Sequence, residues 1–163
     1  VDFQTFHDVI MKRYRRFGGE NCLFECSFLQ NSIESMMLFY QMAEAEILAF
    51  YEEAYGILKE KGFLLIYLDS THVRENLLHI KKERSDEQGT EMWYPLMLNF
   101  LKESPYGKAH GYTGLEDVIS HFEKRRYLEK KILREIIKED GVILEAKGEE
   151  TDYGKKYTAF LGR

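Results

Sequence analysis

The run Gly62-Phe63-Leu64-Leu65-Ile66-Tyr67-Leu68-Asp69 is a continuous apolar stretch that follows a glycine stop and ends on an acid. It is the pattern of a strand buried on both faces of a parallel sheet. The segment after it places Val73, Leu77 and Ile80 on one helical face, with Ser70 or Thr71 available to cap its first turn. One turn beyond Ile80 the same face reaches Arg84, a cation that either snorkels to water or is wanted inside. An earlier run, Asn21-Cys22-Leu23-Phe24-Glu25-Cys26, reads as a second strand that delivers Glu25 to its C-terminal end, just before Ser27-Phe28-Leu29-Gln30-Asn31. Open α/β sheets place functional carboxylates there, which makes Glu25 a candidate catalytic or metal-holding acid; an ordinary loop-edge glutamate is the plain alternative.

The rest of the chain is rich in helical periodicity. Phe3, Phe6, Ile10, Tyr14 and Phe17 define a first helix that Gly18-Gly19 stops. Residues 32–40 read as a short helix, and residues 43–61 as a stronger one whose buried stripe is Ile47, Leu48, Tyr51, Ala54, Tyr55 and Leu58. Residues 85–112 form a polar excursion around an apolar helix at 92–101, and Ser104-Pro105 and Gly107 are expected to end that helix in a loop. Thr113-Gly-Leu-Glu116 is a capping box that launches a long helix to about Ile137. A short strand at 142–145 and a helix at 152–161 follow.

The long helix carries an anomaly. Its inward stripe, Leu115, Val118, Ile119 and Phe122, runs into Arg125 and Arg126 before Ile132, Leu133, Ile136 and Ile137 restore an apolar face. Two cations in a core stripe need partners, because a buried unpaired charge costs several kcal/mol. A bound anion or a buried carboxylate would each satisfy them.

Composition sets the frame. With 163 residues, 44% hydrophobic and 31% charged, the chain suits one globular domain over residues 1–163. A net charge of −5 argues against a dedicated nucleic-acid binder, and the Lys12-Arg13-Tyr14-Arg15-Arg16 cluster reads as cations offsetting a helix dipole. Neither a signal peptide nor a run of about 20 apolar residues is present, so a cytoplasmic location without a membrane partner is the expectation. Cys22 and Cys26, on one strand, would stand about 13 Å apart, beyond disulfide reach. They are expected as free thiols, with Cys26 a small buried filler. No histidine stands at zinc-ligand spacing from them, so no metal site is expected.

Several of these elements together carry a resemblance. The Glu25-Cys-x-Phe-Leu-Gln-Asn31 segment, the 3–17 helix ending in Arg13-Tyr-Arg-Arg-Phe17, and the Leu-Ile-Tyr-Leu-Asp69 strand with its Arg84-ending helix resemble bacterial P-loop proteins similar to nucleoside and nucleotide kinases. The resemblance runs from the first helix to about residue 137. Family members open with a strand and G-x-x-x-x-G-K-[ST], whose amides and lysine hold the β and γ phosphates. No glycine here begins that spacing, and Gly107-Lys108-Ala109 and Gly154-Lys155-Lys156 lack the hydroxyl that binds Mg²⁺. The chain therefore reads as the C-terminal portion of such a protein.

The resemblance implies a partial kinase-like three-layer α/β fold, helix-rich, with a short and mainly parallel sheet flanked by helices. The three strands would match the third, fourth and fifth of that fold, with the phosphate-loop strand missing between the first two. A second copy or another segment would then complete the sheet, which makes a homo-oligomer the expected state. For the complete protein it implies ATP-dependent phosphoryl transfer to a small molecule or nucleotide, with ATP and Mg²⁺ as cofactors and none held by this chain. Glu25 would orient or deprotonate the acceptor hydroxyl; Gln30, Asn31 and Arg13 would bind the acceptor; Arg84, Arg125 and Arg126 would sit over phosphates. The excursion at 85–112 corresponds in position to a kinase lid. The alternative is a non-catalytic α/β module that binds a partner or assembles.

Overall fold

The computed structural model describes residues 1–145 together with Thr158 and Phe160. The expected helix at 152–161 falls outside the described residues except at those two, both helical. Among residues 1–145, seven α-helices and two strands follow in the order α1 (Phe3–Arg16), α2 (Gln30–Leu38), α3 (Glu44–Lys59), β1 (Leu65–Asp69), α4 (Val73–Glu83), α5 (Trp93–Glu103), α6 (Pro105–His110), α7 (Leu115–Ile132) and β2 (Gly141–Glu145). A π-helical turn, Leu133–Ile137, and a short 3₁₀ turn, Lys138–Asp140, join α7 to β2.

β1 and β2 pair in parallel, with Leu65 opposite Gly141 and Asp69 opposite Glu145. The fold is thus helix-rich α/β around a two-stranded parallel sheet. Parallel neighbours require a long crossover, here supplied by α4 to α7. One face of β1 is covered: Leu65 and Tyr67 pack on the main apolar cluster beside Ile143. The other is not, since Leu64 and Leu68 stay about half exposed, so β1 departs from the expected double burial.

The expected strand at 21–26 does not form. Asn21 (φ 51°) and Cys26 (φ 57°) both adopt left-handed backbone, which breaks an extended run at each end. Leu23 is 94% exposed and Phe24 touches Phe17 edge-on at the end of α1, so neither side chain builds a sheet. Cys22 and Cys26 are free, as expected, but both are exposed; Cys26 fills no core gap. Tyr51 anchors the end of this loop, donating from its buried hydroxyl to the carbonyls of Phe28 (2.8 Å) and Leu29 (3.2 Å).

Local signals explain most helix boundaries. Asp2 accepts the Thr5 amide and caps α1, and the Lys61 ammonium closes its other end on the carbonyls of Arg15 and Phe17. α4 starts at His72 without a side-chain cap, so neither Ser70 nor Thr71 serves. The expected loop after α5 is instead α6: buried Ser104 accepts the Gly107 amide, and Pro105 takes the first helical position. A Cβ on Gly107 would fall 1.9 Å from the Leu101 carbonyl oxygen, so only glycine fits there. At α7 the reciprocal acid is Asp117, one residue beyond Glu116, which accepts the amides of Thr113 and Gly114.

Two apolar clusters result. The larger joins α1, α2, α3, the C-terminal half of α7 and the π-helical turn, with Tyr51, Ile33, Met36 and Ile132 fully enclosed. The smaller joins Leu38, Leu77, Leu101, Val118 and Ile119. α7 runs through both. Removing the Tyr51 hydroxyl strands the Phe28 carbonyl, while Leu29 keeps the Ile33 amide, so Tyr51→Phe is expected to lower stability by about 1–2 kcal/mol in urea unfolding with an unchanged m-value. A variant as stable as the parent would show that this anchor contributes nothing.

Candidate functional site

Where α7 passes from one cluster to the other it carries His121, Arg125, Arg126, Glu129 and Lys130, and each meets a partner. Asp69, at the C-terminal end of β1 and only 3% exposed, receives Arg126 through both carboxylate oxygens, at 2.5 and 2.9 Å. Lys130, one turn along, adds a third contact at 2.5 Å. The i, i+4 spacing of Arg126 and Lys130 places both cations over the same strand end. Burial alone would raise the Asp69 carboxyl, but the bonds and charges of Arg126 and Lys130 outweigh it and hold the pKa below the ordinary 3.8. The same contact raises Arg126.

Arg125 faces the other side of α7, toward α2. It donates to Glu34 at 2.5 Å, and its Nε lies 3.3 Å from Glu129 without hydrogen-bond geometry. His121, its side chain fully enclosed, meets the second Glu34 oxygen at 2.6 Å through Nε2, while its Nδ1 has no hydrogen-bond partner. Tyr67 of β1 donates to Glu129 at 2.7 Å. The two carboxylates beside Arg125 are displaced in opposite directions. Burial works to raise Glu34, but His121 and Arg125 bring it below 4.5; burial raises Glu129 above 4.5 against the Arg125 charge and the Tyr67 bond. Tyr67 itself is pushed up, first by burial and then by the Glu129 charge.

On the outer flank of this cluster lies an open groove of about 280 Å³ lined by Arg126, Tyr127, Lys130, Lys131, Arg134 and Glu135. Lys131 is paired with Glu44 at 2.6 Å. Arg134 is exposed and forms no ion pair with the described residues. The groove thus combines four cations: two shared with Asp69, Lys131 paired with Glu44, and Arg134, unpaired among the described residues.

The other expected site residues lie apart from this cluster. Glu25 is exposed in the loop before α2 and bonds to none of the three arginines. Gln30 and Asn31 are exposed in the first turn of α2, and Arg13 is exposed on α1. Arg84 caps the end of α4 and stacks over Trp93 at 5.7 Å, so it neither enters the core stripe nor reaches β1. Compared with protein-family models, curated proteins and solved structures, the chain matches none. No helix among the described residues is long and apolar enough to cross a membrane.

The sequence reading picked out Arg125 and Arg126 but not Glu34, His121, Glu129 or Lys130. Glu129 and Lys130 follow those arginines at i+4, a spacing that could have revealed them. Glu34, 91 residues from Arg125, leaves no such trace.

Asp69 generates a pH prediction. A carboxyl lowered by folding contributes stability that is complete above its unfolded value and is lost as pH falls through the folded one. Asp69→Asn is therefore expected to cost about 3 kcal/mol at pH 7, with the gap to the parent closing below about pH 4. A gap that is constant with pH would place the charge of Asp69 outside the stability of the fold.

Proposed function

We propose that this chain is the acceptor-side part of a P-loop kinase-like phosphotransferase and is inactive in phosphoryl transfer by itself. The observation that carries the reading is the convergence of Arg126 and Lys130 at the C-terminal end of a parallel strand, with Arg134 one turn further on and without an ion pair among the described residues. Ligands of open α/β folds bind beyond the strand ends, and guanidinium groups suit phosphate oxygens.

Phosphoryl transfer is largely positioning and charge stabilisation. In this reading Arg126, Lys130 and Arg134 neutralise a phosphorylated acceptor or product. Glu25 orients or deprotonates the acceptor hydroxyl, with Gln30, Asn31 and Arg13 as its binding groups and Arg84 and Arg125 as further cations of the phosphate region. Glu25 would have to be carried to the strand ends by the loop that holds it. ATP and Mg²⁺ would belong to the whole protein: nothing in this chain has the glycine-lysine-hydroxyl set that cradles a triphosphate. Without that cradle the largest electrostatic contribution to catalysis is missing.

A second reading, a non-catalytic α/β module, draws support from the saturation of the arginines. Arg125 is held by Glu34 and Glu129, and Arg126 by Asp69, so neither needs a ligand to offset its burial.

Titration with pyrophosphate, followed by NMR, separates the two. The kinase-like reading expects millimolar binding that shifts signals of residues 126–135 and is lost in Arg134→Ala, with no transfer from MgATP to any nucleoside. Unperturbed α7 signals at saturating pyrophosphate would leave only the module, and transfer by the chain alone would contradict its proposed inactivity.

A further inference from the structure

The apolar residues of α5 divide between two faces. Leu101, with Trp93, Tyr94, Met97 and Leu98, packs on the smaller cluster. Met92, Leu96 and Phe100, four residues apart, form a gently winding row on the outer side of α5 and remain exposed, Leu96 at 72%. Phe39, just past α2, sets its ring edge-on to Phe100 at 5.7 Å and widens the row at one end. Scattered exposed leucines need no explanation, but a contiguous ridge of four large side chains is as big as the largest patches monomers ordinarily show.

We propose that a second copy of this chain covers this ridge, its α5 crossing antiparallel about a two-fold axis at Leu96. Such an axis packs Leu96 against its own counterpart and Met92 against Phe100 of the partner subunit. An isologous contact requires a self-complementary patch, and a two-fold axis at the central Leu96 sets the wide Phe39–Phe100 end of one row against the narrow Met92 end of the other.

The charges at the two ends select the same arrangement. At the start of α5, near the Met92 end of the row, Arg84 lies over Trp93 and has no ion pair with the described residues. Beside Phe100, Glu103 is exposed and held only by the equally exposed Lys108 at 2.8 Å. An antiparallel crossing brings each Arg84 to Glu103 of the partner subunit and sets the helix dipoles head to tail. A parallel crossing would oppose Arg84 to Arg84. Two facing ridges with their polar rims reach the lower end of the roughly 1,200–2,000 Å² that stable complexes bury, so dissociation in the micromolar range is expected.

Sedimentation velocity on the full chain across the micromolar range tests this. A monomer–dimer equilibrium is expected, abolished by Leu96→Glu, which alters an exposed site and should leave the circular dichroism unchanged. Arg84→Glu should weaken the dimer about tenfold, and Arg84→Glu with Glu103→Arg should restore it. In a Cys22→Ser/Cys26→Ser background, oxidised Leu96→Cys should form a disulfide-linked dimer while Met92→Cys alone does not. A chain monomeric at every concentration, a dimer indifferent to Leu96→Glu, or equal cross-linking at positions 92 and 96 would overturn the proposal.

Discussion

The grip of Arg126 and Lys130 on the Asp69 carboxylate fixes where α7 sits over the sheet, and the rest of the arrangement follows from that position. Asp69 closes β1, β2 pairs along the whole of β1, and α7 with its π-helical turn delivers the chain to the start of β2. A two-stranded sheet is too small to be stable alone and depends on helices laid across it. Here the helix is attached to the strand by charge as well as by apolar packing.

A grip of this kind has a cost that the surroundings offset. Removing Asp69 from water is unfavourable, and three charge-assisted hydrogen bonds compensate for it. The parallel cluster around Arg125 solves the same problem less completely. Glu34 is favoured in its charged form by His121 and Arg125, whereas Glu129 is penalised by burial and shares Arg125 at poor angle. His121 Nδ1 also stays without a hydrogen bond. Asp69 is therefore the well-compensated half of the network, and the groove beside it carries Arg134, which has no ion pair among the described residues.

Much of this was legible in the sequence because the long helices carry unmistakable periodicity. The stripe of α3 is buried as read, with Leu48 partly buried at its edge, and Phe50 joins it. The parallel strands at 65–69 and 141–145 were marked by their apolar runs. What failed was decided by backbone conformation and not by composition: Asn21-Cys22-Leu23-Phe24 looks like a strand, but left-handed residues at Asn21 and Cys26 break it. Ser104-Pro105 reads as a terminator, although a serine before proline also starts helices, and Gly107 is required for close approach to Leu101. For the site, two arginines in an apolar stripe announced buried partners. Which partners they would be depended on contacts across 57 and 91 residues, which no local pattern encodes.

A double-mutant cycle between Asp69 and Arg126 at pH 7 tests the central claim most directly, using Asp69→Asn, Arg126→Gln and the double variant in urea unfolding. The interaction of a well-compensated, nearly buried pair should appear as a coupling energy of about 2 kcal/mol or more. Additive effects, with coupling within about 0.5 kcal/mol of zero, would show that the Asp69–Arg126 contact does not set the position of α7.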